Sequence, residues 1–311
     1  MSTHDSLIKA WPGATGKTDE EDSTMKEHAA TVVLEGFGYL EGARWHDGAL
    51  WCSDIPRGQV HRIDPAGPTA SVVATIDGAK PSGLGFAPDG SLLIVTQADS
   101  AVRRLGPGGS TEIVADLSGV AVAANDMWVD ASGRAYVTQI GYELFAGEEP
   151  RGRPLIVVEP TGEISTWGEG LVCPNGVGLS PDGRTVYVAE TFAYRLTAFD
   201  IAADGSLGNQ RVVKQFASLE EDALDGLCVD SEGAVWLTCP FSSQVRRVTP
   251  DGTVTDVVNT ATPGHFVVSC ALGGPNRTTL YLCTAETDME RMANNFEGTS
   301  RVEAVEVGVP G

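Results

Sequence analysis

Short apolar segments separated by turn residues run through the chain from residue 31 onward. Early examples are Thr31–Leu34, Ala49–Ser53, Gln59–Ile63 and Ser71–Ile76, which contain many β-branched residues and lie between Gly, Pro and Asp. Such segments are typical of β-strands joined by tight turns. No helical stripe extends beyond two turns, so the pattern predicts an all-β protein.

One sequence outline recurs along this region. It begins with a Gly or Asp, continues as an apolar strand, turns at a Gly and ends in a second strand. Successive copies start 41, 43, 50 and 50 residues apart, and a looser sixth copy lies between Phe266 and Tyr281. A four-stranded unit that recurs at this spacing predicts a six-bladed β-propeller, whereas a β-sandwich would not explain so regular a period. The clear copies start at Gly42, Gly83, Asp126, Gly176 and Gly226.

The two ends of the chain differ from the repeats. Residues 1–29 are polar, carry an acidic run at residues 19–22 and lack periodicity, so we expect an acidic tail that is disordered or lightly docked. Residues 30–311 are expected to form the propeller. Within it, Thr31–Leu34 and Arg301–Val307 are predicted to share one blade and close the ring, because an unclosed ring leaves open strand edges. The extra length of the third repeat predicts a loop at Gly141–Pro154.

Oxygen-bearing side chains occupy the position just before each clear repeat. The innermost strands of a propeller begin near its central channel, so these side chains are expected to meet around one axis. Carboxylates buried together need a cation or protons between them, and oxygen donors of mixed charge suit a hard divalent ion. The pattern predicts a central divalent-metal site, although each residue alone is equally suited to capping a strand. The residues are Glu41, Ser82, Asn125, Asn175 and Asp225.

A second set of polar residues lies at the far end of the next strand in each repeat. These residues could orient the metal ligands by hydrogen bonding to them. Hydrogen bonding from blade to blade is the favoured role for most of its members. The set consists of Asp54, Gln97, Gln139, Glu190, Cys239 and Thr284.

Composition narrows the classes of partner. A formal net charge of −21 opposes binding to nucleic acid and to anionic membranes, and no apolar stretch reaches the length of a transmembrane helix. The N-terminus lacks the basic and apolar regions of a secretory signal, so a cytoplasmic location is expected. The 6 cysteines lie mostly in strand patterns and are expected to be reduced. The sequence is also compatible with one buried disulfide.

Several motifs, in this order, resemble those of the SMP-30/gluconolactonase/luciferin-regenerating-enzyme family: Glu41-Gly-x-Arg-Trp, Asn125-Asp, Pro174-Asn175-Gly, Asp225-Gly and Ala271-Leu-Gly-Gly. The resemblance covers about residue 32 to the C-terminus. It implies a six-bladed propeller with one divalent metal ion in the channel. Many members hydrolyse lactones, so a small lactone or ester is the implied substrate.

The resemblance also implies roles for individual residues. Glu41, Asn175 and Asp225 match the metal ligands, and Asn125 matches a residue beside the metal that binds substrate or completes the metal's shell. Asp225 is in addition the implied general base or nucleophile, beside a metal that polarises the carbonyl group. The favoured ion is Ca²⁺, with Mg²⁺, Mn²⁺, Zn²⁺ or Fe²⁺ as alternatives.

One departure from the family pattern bears on the substrate. Sugar-lactonase members carry an Arg two residues before the Asn of the Asn-Asp motif, where this chain has Ala123. Loss of that forked donor favours a less hydroxylated, aromatic or aliphatic lactone, so dihydrocoumarin is expected to react faster than gluconolactone. The candidate substrate contacts are Asn125, Met127, Trp128, Tyr142, Phe192 and His265, with Phe145, Phe241 and Phe266 as further loop aromatics.

Two other functions are compatible with the same ring of oxygen donors. A phosphotriesterase-like hydrolase would use the same metal site, as a resemblance to the diisopropylfluorophosphatase propellers implies. A non-enzymatic propeller that binds Ca²⁺ or presents a surface to a protein is the other. A propeller scaffold does not choose between them. The sequence also leaves open whether the protein is a monomer or a homodimer.

Overall fold

The computed structural model describes residues 25–218 and 223–311 as a ring of β-sheets. Within these residues, helix is confined to Met289–Ala293 and two single 3₁₀ turns, Pro107–Gly109 and Leu144–Ala146. None of these helices is long and apolar enough to cross a membrane. The strands, in chain order, are β1 (Lys26–Ala29), β2 (Thr31–Phe37), β3 (Leu40–His46), β4 (Ala49–Asp54), β5 (Gln59–Asp64), β6 (Thr69–Thr75), β7 (Pro81–Phe86), β8 (Leu92–Thr96), β9 (Ala101–Leu105), β10 (Thr111–Asp116), β11 (Ala124–Val129), β12 (Ala135–Gln139), β13 (Gly152–Val158), β14 (Ile164–Val172), β15 (Pro174–Leu179), β16 (Thr185–Glu190), β17 (Arg195–Ile201), β18 (Leu207–Gln215), β19 (Leu227–Val229), β20 (Val235–Cys239), β21 (Gln244–Val248), β22 (Val254–Asn259), β23 (Phe266–Gly273), β24 (Thr279–Glu286) and β25 (Thr299–Glu306).

The sheets form six blades, which confirms the predicted propeller. Blades one to four are β3–β6, β7–β10, β11–β14 and β15–β18, each an antiparallel meander in chain order. Blade five contains β19–β22 with β1 at its outer edge, and blade six contains β23, β24, β25 and β2. The innermost strands neighbour one another around the channel, and β23 contacts β3 to complete the circle.

Blade six joins the two ends of the propeller, as predicted. The N-terminal strand β2 pairs antiparallel with the C-terminal strand β25, with Thr31 opposite Ala304 and Phe37 opposite Ser300. Backbone hydrogen bonds between segments far apart in sequence therefore hold the ring closed. This pairing also leaves β2, rather than the C-terminal strand, at the outer edge of blade six.

The expected boundary between tail and propeller needs one correction. The strand β1 pairs parallel with β22, and His28 Nε2 lies 3.0 Å from Asp256 Oδ1. The propeller therefore begins at Lys26 rather than at residue 30. Four residues that dock through their backbone carry too little side-chain periodicity to be recognised in the sequence. Residues 1–24 lie outside the described residues.

Glycine at the start of the inner strands allows neighbouring blades to approach closely. A Cβ atom added to Gly176 would lie 2.6 Å from both Asp225 O and Leu227 N, and one added to Gly83 would lie 2.6 Å from Asp126 Cα. Gly176 N donates a hydrogen bond to Asp225 O at 3.0 Å. The backbones of adjacent blades touch there, so the residue preceding each glycine has a fixed position at the start of its inner strand.

Apolar side chains fill the spaces between neighbouring blades. Trp236 of β20 is fully buried in a cluster that also contains Val267 of β23 and Leu280 of β24. Complete burial of a large apolar side chain of this kind contributes roughly 1.5–3 kcal/mol. All 6 cysteines are buried, and none of them forms a disulfide.

Candidate active site in the channel

One cavity at an end of the channel collects the main predicted site residues. Glu41 at the start of β3, Asn125 of β11, Asn175 of β15 and Asp225 just before β19 all line it. They come from four different blades, at equivalent positions of the repeat. Repetition of one backbone geometry around the axis therefore brings together residues separated by up to almost two hundred positions in the chain.

The carboxamides in the cavity form a chain of hydrogen bonds. Gln97 Nε2 donates to Asn125 Oδ1 at 2.9 Å, and Asn125 Nδ2 donates to Asn175 Oδ1 at 2.8 Å. Asn175 Nδ2 donates in turn to Thr191 Oγ1 at 3.3 Å. The chain fixes the orientation of both asparagines. Gln97 is the member of the second polar set that contacts a predicted metal ligand.

Burial and nearby negative charge raise the pKa values of both carboxyl groups in the cavity. Burial, followed by the negative charges of Asp225 and Asp126, holds the pKa of Glu41 well above its usual range. Burial, and then the charge of Asp126, raises the pKa of Asp225 to about 8, against a hydrogen bond from Asn175 that lowers it. Asp225 Oδ1 is buried and has no hydrogen-bond partner within the described parts of the chain. A buried, unpartnered carboxylate oxygen is costly unless a proton or cation approaches it.

Ser82 does not join the cavity wall, although the repeat places it in the same ring. Its Oγ donates to the backbone oxygen of Asn125 at 2.6 Å. Asp126 also points away from the cavity, because Arg44 Nη2 donates to Asp126 Oδ1 at 2.8 Å. Ser82 therefore supports the backbone of the next blade, and the negative charge of Asp126 is balanced by a buried guanidinium group.

Three members of the second polar set, Asp54, Gln139 and Glu190, hold the connections between blades. Asp54 Oδ2 accepts from Gly38 N at 2.9 Å, and Glu190 Oε2 accepts from Val172 N at 2.8 Å. In each case a side chain at the end of the second strand of a blade accepts a hydrogen bond from the backbone of the segment that enters that blade. Such bonds agree with the hydrogen-bonding role favoured for this set. The remaining contacts are Gln139 Oε1 with Val122 N, Thr284 Oγ1 with Glu303 and Cys239 Sγ with Leu237 O.

The rest of the cavity wall is largely apolar. Several of the aromatic residues proposed from the sequence line it, and so does part of the inserted loop of the third repeat. The sequence analysis missed the contribution of the segment after β24. A signal was present there, since Asp288 caps a short helix whose Met289 and Met292 recur at helical spacing. The apolar wall consists of Ile55, Ile140, Leu144, Phe145, Phe192, Pro240, Phe241, Phe266, Met289, Met292 and Phe296, together with Tyr39 and Cys173.

Two of the proposed substrate contacts lie away from this cavity. Met127 is fully buried in a hydrophobic cluster of blades two and three. Trp128 lines a different cavity, where Arg44 stacks 5.5 Å from its ring centroid. A β-bulge between Ala124 and Met127 breaks the alternation of β11, so residues after Asn125 no longer face the same space. Neither residue is retained in the proposed site.

Tyr142 and His265 lie behind the cavity wall. The ring of Tyr142 is buried, 6.4 Å from the ring of Phe192, and burial raises its pKa. His265 precedes Phe266, which does line the cavity, and burial together with the charge of Arg301 lowers the pKa of His265. Neither residue is among those that line the cavity.

The thiol of Cys173 faces the cavity but is poorly suited to nucleophilic attack. Burial raises its pKa to about 12, and the nearby charge of Asp225 adds to the rise against a hydrogen bond with Thr191. The thiolate is the reactive form of cysteine, and it is scarce at neutral pH when the pKa is this high. The carboxylates are therefore the main candidates for chemistry in this cavity.

The donor set in the cavity suits a hard divalent cation. Glu41 and Asp225 supply carboxylate oxygens, one of which has no partner among the described residues. Asn175 and Asn125 add carboxamide oxygens, each of which already accepts one hydrogen bond and has a second lone pair. No group of three or more His, Cys, Asp and Glu that could hold a metal occurs in the described ranges 25–218 and 223–311. An ion bound here would therefore depend on the two asparagines to complete its ligands.

A closed six-bladed propeller with oxygen donors converging in its channel defines a recognisable class of proteins. Residues 40–286 match the profile of the SMP-30/gluconolactonase/LRE-like region. The chain belongs to this family, which confirms the resemblance drawn from its motifs.

Individual relatives agree with this membership. A pentonolactonase of Haloferax volcanii is 29% identical over 252 residues, which cover 80% of this chain and 82% of that protein. A 6-deoxy-6-sulfogluconolactonase of Pseudomonas putida is 25% identical over 295 residues, covering 92% and 97%. Regucalcin of Gallus gallus is 29% identical over 169 residues, and this match spans 54% of the chain and only 56% of the relative.

The fold agrees with a solved structure. A calcium-binding protein, regucalcin, from Agrobacterium tumefaciens superposes with a TM-score of 0.75 and covers 92% of this chain and 97% of its own. The two sequences are only 20% identical, so this comparison shows a shared fold and nothing further.

Proposed function

We propose that the protein is a divalent-metal-dependent hydrolase that opens the ring of a lactone in the channel cavity. The observation that carries the proposal is the convergence of Glu41, Asn175 and Asp225 on one cavity, in which Asp225 Oδ1 is buried and finds no partner among residues 25–218 and 223–311. Family membership and two relatives named as lactonases support the same chemistry.

Glu41, Asn175 and Asp225 are the proposed metal ligands, and Asn125 is the neighbouring ligand or substrate contact. When bound, a divalent ion supplies polarisation of an ester carbonyl and stabilises the negative charge that develops on its oxygen. Calcium is the favoured ion because all the donors are oxygen atoms. The calcium-binding name of the Agrobacterium tumefaciens structure supports this choice.

Asp225 is the proposed general base. Its unpartnered Oδ1 accepts a proton from a water molecule while the water oxygen bonds to the carbonyl carbon. The ring C–O bond then breaks, and the proton passes to the departing alkoxide. As a nucleophile, Asp225 would instead bond to the carbonyl carbon while the ring C–O bond breaks and the departing alkoxide takes a proton. Water would then hydrolyse the resulting acyl-enzyme anhydride, which releases the hydroxy acid and restores the Asp225 carboxylate.

The proposed substrate carries fewer hydroxyl groups than a sugar lactone. Ala123 replaces the arginine implied for sugar-lactonase members, and the wall beyond the oxygen donors is formed mainly by Phe, Met, Ile and Leu side chains. A hydroxyl group buried against such a wall loses its hydrogen bonds to water without replacement. An aryl or alkyl lactone avoids that loss.

A substrate panel with controlled metal content tests the proposal. The protein is stripped with a chelator and restored separately with Ca²⁺, Mg²⁺, Mn²⁺, Zn²⁺ and Fe²⁺. Dihydrocoumarin, gluconolactone and a phosphotriester are then assayed side by side. We expect no turnover after stripping, recovery with Ca²⁺, and a higher kcat/KM for dihydrocoumarin than for gluconolactone.

Other outcomes of the panel identify the alternatives. A phosphotriester rate above every lactone rate points to the phosphotriesterase-like function. Calcium binding without turnover of any ester points to a non-enzymatic propeller. A clear preference for gluconolactone contradicts the substrate assignment but leaves lactone hydrolysis in place.

A further inference from the structure

Two loops from opposite sides of the ring meet at the mouth of the channel cavity. Phe145 lies in the 3₁₀ turn between β12 and β13 of blade three, and Phe296 lies between β24 and β25 of blade six. Their ring centroids are 6.1 Å apart with an edge-to-face angle of 89°. Two blades separate blades three and six on either side, so this contact spans the channel. We call Phe145 and Phe296 the aromatic bridge.

The blade-six half of the bridge is held in a conformation that side chains rarely adopt. Asn295 and Phe296 have φ angles of 64° and 55°, in the left-handed region that is unusual for a bulky residue. Phe296 N donates to Met292 O at 2.9 Å, and the rings of Phe296 and Tyr39 lie 5.2 Å apart. Such backbone outliers persist where the surroundings fix them, and they concentrate at functional sites. Here the outlier places an aromatic ring over the cavity.

The blade-three half of the bridge is comparatively free. The Phe145 side chain keeps 41% exposure, whereas Phe296 keeps only 7%. The turn that carries Phe145 ends at Gly147, whose φ of 77° suits glycine. The bridge therefore pairs a fixed ring with a more exposed ring. The exposed ring can move aside for a ligand without disturbing the core.

The cavity has two chemically distinct levels. Glu41, Asn175 and Asp225 supply oxygen donors at the channel, and the bridge with Leu144 and Met292 supplies an apolar roof. A lactone whose carbonyl group lies at the oxygen donors directs the remainder of its ring, or a substituent, toward that roof. An aryl or alkyl group is stabilised there by burial and by contact with aromatic faces.

We propose that the aromatic bridge determines substrate specificity by binding the aryl ring or alkyl chain of the lactone. This inference rests on the proposed function, because it assigns the group that lies beyond the reacting carbonyl. Two effects favour apolar lactones over sugar lactones. Apolar substituents gain contact with Phe145 and Phe296, and sugar hydroxyl groups lose hydrogen bonds to water there.

The test compares γ-lactones whose alkyl chains differ in length, together with dihydrocoumarin and gluconolactone. In the wild-type protein kcat/KM should rise with each added methylene, by up to about fourfold for complete burial. In Phe145→Ala this dependence should weaken, and the ratio of dihydrocoumarin to gluconolactone turnover should fall by about tenfold. Phe145→Leu should retain most of the dependence on chain length. Phe296→Ala should act like Phe145→Ala, and thermal unfolding reports whether that more buried variant keeps its fold.

Phe86→Ala is the matched control, since Phe86 lines the cavity that contains Trp128 and lies outside the channel cavity. It should leave the substrate ratios unchanged. Unaltered ratios in a folded Phe145→Ala variant would overturn the bridge as a specificity determinant. A binding measurement separates this result from failure of the proposed function. If no lactone is hydrolysed, saturation-transfer NMR of dihydrocoumarin still reports contact with the bridge, and an equal signal in wild-type and Phe145→Ala proteins refutes it.

Discussion

At the scale of single residues, the channel cavity brings together two carboxyl groups, Glu41 and Asp225, whose pKa values are raised by burial. The two carboxyl groups come from blades one and five, and no Lys or Arg among the described residues lines their cavity. The buried Arg44 forms its ion pair with Asp126. Structural ion pairs in this protein are arranged differently. Asp230, for example, accepts from Arg247 Nε at 2.7 Å. Groups with displaced pKa values that sit in a cavity without a structural partner are candidates for function.

Asp225→Asn should remove activity while preserving the fold. The substitution keeps the shape of the side chain but removes the proton acceptor, so we expect kcat/KM for the preferred lactone to fall by about 10²-fold or more. Chelator-treated Asp225→Asn should unfold at the same temperature as the wild type or higher, because a buried carboxylate is lost. Asp77→Asn makes the same charge change in an exposed turn and should change neither the turnover nor the unfolding temperature. Undiminished turnover in Asp225→Asn would remove Asp225 from the mechanism.

The stability of chelator-treated protein should depend on pH through Asp225. Its pKa in the fold is raised to about 8 from an ordinary value of 3.8, so the folded state binds the proton more tightly than the unfolded state. The stabilisation is complete below the ordinary value and is lost as pH rises through about 8. Urea unfolding at several pH values should show the wild type losing up to about 1.4 kcal/mol per pH unit relative to Asp225→Asn. Parallel pH profiles for the two proteins would contradict the assignment.

At the scale of elements, the inner strands are positioned by close backbone contact. Asn175 and Asp225 lie side by side because Gly176 leaves no side chain between β15 and the strand entry of blade five. Contact between neighbouring blades therefore fixes the positions of these two residues, which are proposed metal ligands. Loops contribute most of the apolar side chains of the cavity, whereas the oxygen donors lie at or beside the strand ends.

Gly176→Ala should damage both stability and activity. The added methyl group would meet Asp225 O and Leu227 N at 2.6 Å, which requires the two blades to move apart. We expect a loss of about 1–3 kcal/mol of stability, as for overpacking in a core, and a larger relative loss of turnover. Gly208→Ala is the control in the same blade, since no atom lies within 4 Å of its added Cβ. Equal unfolding temperatures for the two variants would contradict this account of blade packing.

At the scale of the whole molecule, closure of the ring depends on strands that are distant in sequence. The strand β2 pairs with β25 in blade six, and β1 covers the outer edge of β22 in blade five. The N-terminal segment therefore contributes to two neighbouring blades. Loss of β2 opens an edge on the blade that joins the chain ends, and an open edge promotes association with other strands.

Two truncations should separate the contributions of β1 and β2. Removal of residues 1–30 deletes β1 and should lower the unfolding temperature by a few degrees, since each 1 kcal/mol corresponds to roughly 2–4 °C in a protein of this size class. Removal of residues 1–37 also deletes β2 and should abolish cooperative unfolding or cause aggregation. Circular dichroism and light scattering measure both effects. An equally stable protein after the longer truncation would show that the ring closes without β2.

The sequence alone determined the number of blades, the closing pair of strands and the positions of Glu41, Asn125, Asn175 and Asp225. These features follow from the repeat, because equivalent positions of a repeated unit must occupy equivalent places around one axis. The repeat also marked Ser82 as a member of the ring. Only the structure revealed that its hydroxyl group supports the backbone of Asn125 instead.

Only the tertiary structure revealed the contacts between segments that occupy different positions in the repeat. Phe145 and Phe296 meet because their loops reach across the ring, and no repeat relates the two positions. A β-bulge in β11 withdraws Met127 and Trp128 from the cavity, and a change of one residue in strand register reverses which face a side chain occupies. The docking of β1 through its backbone left no side-chain pattern to read. Periodicity therefore fixed the frame and the oxygen donors, whereas long-range packing fixed the apolar surroundings that we propose select the substrate.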